Sequence, residues 1–190
     1  MKRILATLAL VLLSVSGARA QAQVLYASTG SNSANGNLYT INPATGASTL
    51  VGPIRIGASP TGVTGLAFHP ATGTLFGVTS NAAGGISPHS LLRTDPATGA
   101  ATLVGVMANP VGDIAFSSSG VLYGWSANQA VTQGLFTIDL LTGTQTKVLP
   151  GDATFSTTGG NGLSFAGGVL YLTEDGAAVI GSATGKLGGC

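Results

Sequence analysis

The chain has 190 residues, 30 of them Gly and 8 Pro, and charged residues make up only 7% against roughly 25% in an average globular domain. An apolar fraction of 44% excludes a solvated disordered chain, Gly without a three-residue period excludes collagen, and scarce Glu, Lys and Arg exclude coiled coils and helical bundles. A Gly-rich all-β chain remains, and its formal charge of +1 offers nucleic acid no electrostatic footprint.

At the N-terminus, Lys2 and Arg3 precede an uncharged apolar run from Ile4 to Val15, and Ala18-Arg19-Ala20 follows it. A basic start, a short apolar stretch and an A-x-A site form the pattern of a secretory signal peptide, so residues 1–20 are read as an export signal cleaved after Ala20. The run is shorter than the roughly 20 residues of a membrane span, and no transmembrane segment is expected. The mature chain is expected in the periplasm or outside the cell, with four basic residues against six acidic ones. Cys190 is the only Cys, so no intrachain disulfide can form and the core must hold the fold.

From Val24 onward two phrases alternate. The first is LYTINPATGASTLVG (38–52), which returns as LLRTDPATGAATLVG (91–105), as LFTIDLLTGTQTKVL (135–149) and faintly as AAVIGSATGKL (177–187). The second is VTGLAFHPATGTLFGVTS (63–80), followed by VGDIAFSSSGVLYGWS (111–126) and NGLSFAGGVLYLT (161–173). Phe68, Phe116 and Phe165 stand 48 and 49 residues apart. Two interleaved phrases at a period in the forties predict a repeated four-strand module.

Each phrase reads as a hairpin, because alternating apolar and small or polar residues flank a Pro/Gly-rich turn. In Asn42-Pro43, Asp95-Pro96 and His69-Pro70 the first residue can bond its own downstream backbone and Pro presets φ; Gly closes the turn in the left-handed region. Asp139-Leu140 and Ser117-Ser118 keep only the final Gly. These Asp and Asn residues are therefore expected to shape turns, not to bind metal.

These phrases resemble bacterial β-propeller repeats of the YVTN and quinoprotein-like kind, where a strand carrying G-x-A-F/S-x-P-x-x-G is followed by L-Y-V/G and then by L-Y-x-I-D-x-x-T-G. The resemblance runs from about Val24 to Leu187. It implies four-stranded antiparallel blades: a partial blade at 24–52, blades at 58–106 and 109–150, and an incomplete blade at 158–190. Val63–Phe68, Val111–Phe116 and Gly162–Phe165 would then be innermost strands along the axis, with Thr102–Val106 and Thr146–Leu149 outermost. About three and a half blades are counted, where propellers usually close with four to eight. A truncated longer propeller, a small ring with an irregular last blade, and an open arc that self-associates through exposed blade edges are all compatible with that count.

Function on a propeller sits mostly in the loops at one end of the axis. Those loops are Pro53–Gly62, Val106–Pro110, Pro150–Gly160, Ser80–Ser90, Ser126–Gly134 and Glu174–Gly176. They and the adjoining strand ends supply the candidate ligand-binding residues Asp113, Trp125, Asn161, Asn128 and His89, which also suit solvated loops. Asp113 is singled out because it stands where the other copies have Gly65 and Gly162. A mouth ringed by amides, hydroxyls and an indole suits a small molecule, a glycan or a protein.

Catalytic signals are thin. No Ser lies in a G-x-S-x-G elbow, His69 lies in a turn, and neither Cys-x-x-Cys nor His-x-His spacing occurs, so no catalytic or metal residues are assigned. Glu174-Asp175-Gly176 reads as a turn, with Ca²⁺ the only ion it suggests. By resemblance, gluconolactonase-like propellers hold a divalent ion with a Glu and Asn/Asp residues from several blades, yet Glu174 is the only Glu here. The expected function is an exported non-catalytic binding or scaffold module. The alternatives are a truncated or degenerate enzyme of the lactonase or quinoprotein-like type, and a gene fragment without independent function.

Overall fold

A computed structural model describes residues 24–30, 35–79, 86–126, 133–150 and 162–173, and every regular element among them is a β-strand. The strands are β1 (Leu25–Ser28), β2 (Gly36–Ile41), β3 (Ser48–Ile56), β4 (Ser59–Pro60), β5 (Val63–Phe68), β6 (Leu75–Thr79), β7 (Ser90–Thr94), β8 (Ala101–Val106), β9 (Asp113–Phe116), β10 (Leu122–Ser126), β11 (Gly134–Ile138), β12 (Gln145–Pro150), β13 (Gly162–Ala166) and β14 (Val169–Thr173). They form three four-stranded sheets, β1 to β4, β5 to β8 and β9 to β12, and a β13–β14 pair. Neighbouring strands within each sheet are antiparallel and consecutive in sequence. No helix among the described residues is long and apolar enough to cross a membrane.

The turns form as their residues dictate. Asn42 Oδ1 accepts the N–H of Ala44 at 2.9 Å, Asp95 Oδ1 that of Ala97 at 2.8 Å, and Asp139 Oδ1 those of Leu141 and Thr142 at 2.9 and 2.8 Å. In each turn the glycine four residues on donates back to the first carbonyl, at 2.8 to 2.9 Å, with φ between +71° and +79°. Asp139 closes its turn without a proline, and the Thr142 hydroxyl donates to its carboxylate at 2.8 Å as the Thr98 hydroxyl does to that of Asp95. His69 does the equivalent with Nδ1, which accepts the N–H groups of Ala71 and Thr72 at 3.2 and 3.3 Å.

Register identifies equivalent strands. Leu25 pairs Ile41, Leu75 pairs Thr94 and Leu122 pairs Ile138, so β1, β6 and β10 occupy one position of the repeat. Phe68, Phe116 and Phe165 pair Leu75, Leu122 and Leu170, which makes β5, β9 and β13 equivalent first strands. The first sheet thus begins with a second strand, and Ser59–Pro60, inside the 58–106 stretch, folds back onto β3. The first strand of the third sheet starts at Asp113 rather than Val111.

The core lies between sheets, not inside one barrel. Leu38 and Ile54 of the first sheet pack on Val63, Leu75 and Leu92 of the second. Phe76, Val78 and Leu91 continue onto Val111, which precedes the third sheet, and onto Ile114 and Leu122 within it; Ala115, Trp125 and Leu135 continue onto Leu163 and Leu170 of the last. Both faces of a middle strand are therefore covered, and all five residues of β6 are buried. With β5 against β9 and β9 against β13, the chain is an all-β propeller of four-stranded antiparallel blades, with about three and a half of them among the described residues.

Candidate functional site

A cleft of about 430 Å³ opens among β5, β9 and β13 and the turns that follow them. Its lining runs through Leu66, Phe68, Ile114, Phe116, Leu163 and Phe165, of which Ile114 and Leu163 turn their side chains into the core, so Phe68, Phe116 and Phe165 share the walls with strand backbone and with the hydroxyls of Ser117, Ser118 and Ser164. Three consecutive residues of each first strand line it, because the strand edge rather than one strand face borders the axis. Ser117 Oγ accepts the Val121 N–H at 3.1 Å, which fixes the turn at the cleft rim.

One aromatic contact recurs at every junction between sheets. Tyr26 meets Phe68 at 5.3 Å, Phe76 meets Phe116 at 5.5 Å and Tyr123 meets Phe165 at 5.5 Å between ring centroids, with interplanar angles of 63°, 62° and 60°. In each, the ring on a second strand takes the Phe at or next to the end of the next sheet's first strand, and such tilted pairs contribute roughly 0.5–1.5 kcal/mol beyond their buried area. His69 also packs edge-on against Phe116 at 5.0 Å.

Asp113 sits between the first strands. Its Oδ1 accepts the N–H of Ile114 and its Oδ2 that of Leu163 on β13, both at 2.8 Å. On its other side is Gly65 of β5, where a Cβ would lie 2.5 Å from Oδ1. Burial pushes the carboxyl above its ordinary value of 3.8, outweighing the two amide bonds that favour the charge.

Trp125, opposite Asp113 in register, is only 6% exposed and packs with Ala115, Leu135, Leu163 and Leu170. The indole expected at a loop mouth is thus a core side chain, since the alternation of β10 turns it toward the last sheet. His89 leads into β7, half-buried, with φ of 54° and its carbonyl accepting the Met107 N–H at 2.7 Å; desolvation lowers its pKa. It belongs to the preceding sheet, so the structure brings together Asp113 and Trp125 but places His89 on a separate connection.

Asn128 and Asn161 lie outside the described residues, as do Glu174–Gly176, Cys190, residues 1–20 and most of the Pro150–Gly160 and Ser126–Gly134 loops. Of the described loop residues, Asn109 is held by Gln145: its N–H and Nδ2 donate to Oε1 at 2.8 and 3.1 Å, and Nε2 donates to its carbonyl at 3.2 Å. Among the described residues no group of three or more His, Cys, Asp and Glu could hold a metal ion. Sequence reasoning looked to the loops leading into the first strands, whereas the described cleft opens where those strands end. The spacing of Phe68, Phe116 and Phe165 was the signal that marked it.

No family model and no curated protein matches this sequence. Among solved structures the chain is similar to a luciferin-regenerating enzyme, at 16% identity and TM-score 0.51 over 86% of this chain and 54% of that one. It is also similar to a regucalcin from Agrobacterium tumefaciens (15%, TM-score 0.49, 79% of this chain and 49% of that) and to a periplasmic gluconolactonase of Pseudomonas aeruginosa (18%, 0.47, 80% and 47%). The chain spans about half the length of these structures. At such identities the likeness concerns the fold alone, which is that of a β-propeller.

Proposed function

We propose that this chain is an exported, non-catalytic propeller module that binds a small ligand in the cleft among β5, β9 and β13. The observation that carries the reading is the cleft itself, about 430 Å³ with Phe68, Phe116 and Phe165 at its walls and Ser hydroxyls at its rim. Its volume falls in the roughly 300–1,000 Å³ range of small-molecule sites, and aromatic rings beside a few convergent polar groups are part of their usual chemistry. Asp113 supports the same reading, because both of its oxygens already serve backbone amides and hold the walls together.

Trp125 is the only Trp and shares a core cluster with Leu163, which lines the cleft, so its fluorescence reports occupancy. Titration of residues 21–190 with an anilinonaphthalene sulfonate probe is expected to shift Trp125 emission saturably, and Ser164→Phe, which adds a ring at an exposed position of the cleft lining, is expected to abolish that shift. The same shift with and without Ca²⁺ is expected. Divalent-ion-dependent hydrolysis of an aldonolactone would overturn the reading in favour of a lactonase-type enzyme.

A further inference from the structure

Leu25, Leu75, Leu122 and Leu170 occupy one position of the repeat. Three of them are covered, at 1%, 1% and 8% exposure, because each lies beside a first strand and pairs its Phe. Leu25 is 41% exposed, and among the described residues β1 pairs with β2 alone. The strand Leu25-Tyr26-Ala27-Ser28 carries neither a charge nor a proline, the usual devices that keep an edge from accepting another strand.

We propose that the outer edge of β1, which no described strand pairs, is a strand-acceptor site. Its occupant is an extended segment of another polypeptide with the pattern Gly/Asp, Leu/Ile, Ala/Ser, Phe, docked antiparallel as the missing first strand of the sheet. Three pairings already formed give the register: Phe falls opposite Leu25, Ala or Ser opposite Tyr26, Leu or Ile opposite Ala27, and Gly or Asp opposite Ser28. The added strand continues an interface that exists, since β1 already touches β5 through the Tyr26–Phe68 ring pair and through Ser28 Oγ, which donates to the Val63 carbonyl at 3.0 Å. The pattern occurs three times in this chain, in β5, β9 and β13, and each copy is already paired in its own sheet. A second copy of the chain therefore has no spare strand of this kind. This inference does not rest on the ligand cleft, which β1 does not line.

The probe is a labelled synthetic peptide with the sequence of residues 60–70, PTGVTGLAFHP, titrated by fluorescence anisotropy into residues 21–190. Saturable binding is expected, with slowed hydrogen exchange at the amides of Leu25–Ser28. Replacing the peptide's Phe by Ala is expected to weaken binding about tenfold, and Leu25→Lys in the protein to weaken it at least as much. Leu25 is exposed, so Leu25→Lys should keep the wild-type thermal melt, and Leu25→Val keeps the binding. Absence of binding, or binding indifferent to both the peptide's Phe and Leu25→Lys, would overturn the proposal. So would slowed exchange at β1 that grows with protein concentration without peptide, which would assign the edge to a second copy.

Discussion

The carboxylate of Asp113 on β9 reaches across to the next sheet and accepts the backbone N–H of Leu163 on β13 at 2.8 Å. The bond ties adjacent first strands at a point where strand edges, unpaired to one another, would otherwise meet. Its position explains the glycine before it in the array, since Gly65 leaves the room that the Asp113 carboxylate occupies. One polar residue thus organises contacts among three sheets.

Removing the carboxylate by Asp113→Ala leaves the amides of Ile114 and Leu163 without that acceptor, and the expected cost is about 2 kcal/mol. The pH dependence has a definite sign. The folded-state pKa lies above the ordinary 3.8, so the folded chain holds this proton where the unfolded chain has lost it. The site's contribution is fully present below 3.8 and declines as pH rises through the folded value. Urea unfolding of both proteins across pH is therefore expected to show the gap between wild type and Asp113→Ala widening as pH falls toward 3.8. A gap that narrows would refute the burial argument.

Asp139 has the opposite sign. Hydrogen bonds from the Thr142 hydroxyl and from the Leu141 and Thr142 amides hold its carboxyl below 3.8, so its contribution is present above that value and is lost as pH falls. Asp139→Asn keeps an acceptor, as Asn42 does in the first sheet, and is expected to melt closer to wild type than Asp139→Ala does. The small difference between wild type and Asp139→Asn should close in acid, as read by circular dichroism melts.

Gly65→Ala would set a Cβ 2.5 Å from Asp113 Oδ1 and 2.8 Å from Asp113 Cα. The first contact disappears in Asp113→Gly and the second does not. The expected cost of Gly65→Ala is roughly 1–3 kcal/mol, with partial relief in the Asp113→Gly background. A double-mutant cycle is expected to show a coupling of at least about 0.5 kcal/mol between these sites, and additivity would contradict the contact.

Phe116 touches both His69 and Phe76, and Phe76 is 3% exposed, whereas Phe68 touches Tyr26 and is itself 40% exposed. Phe116→Ala is expected to cost about 2–3 kcal/mol and Phe68→Ala about 1 kcal/mol, the difference following the apolar area each ring buries. Denaturant midpoints of the two variants test the order. The reverse order would mean that the first sheet, not the middle junction, carries the larger share of stability.

Much of the architecture was legible in the residues because it is local. Alternation wrote the strands, and Asn42, Asp95 and Asp139 with their glycines wrote the turns through bonds spanning two to four residues. The recurrence of Phe68, Phe116 and Phe165 then counted the modules. What the residues did not show is which neighbours meet across sheets. Trp125 sits at a strand end beside a polar loop in sequence, yet the pleat of β10 turns it into the core with Leu163. His69, a turn residue in the sequence, braces Phe116 one sheet away.

The sequence by itself determined an all-β repeat of hairpins, its turn chemistry and the equivalence of its copies, since each follows from bonds within a few residues or from direct comparison of the copies. Only the tertiary structure decided that Asp113 serves the amide of Leu163, that Gly65 is constrained by a carboxylate 48 positions away, and that Leu25 alone among its equivalents stays uncovered. Those facts depend on how whole sheets stack, and stacking brings together residues whose separation in sequence carries no pattern of its own.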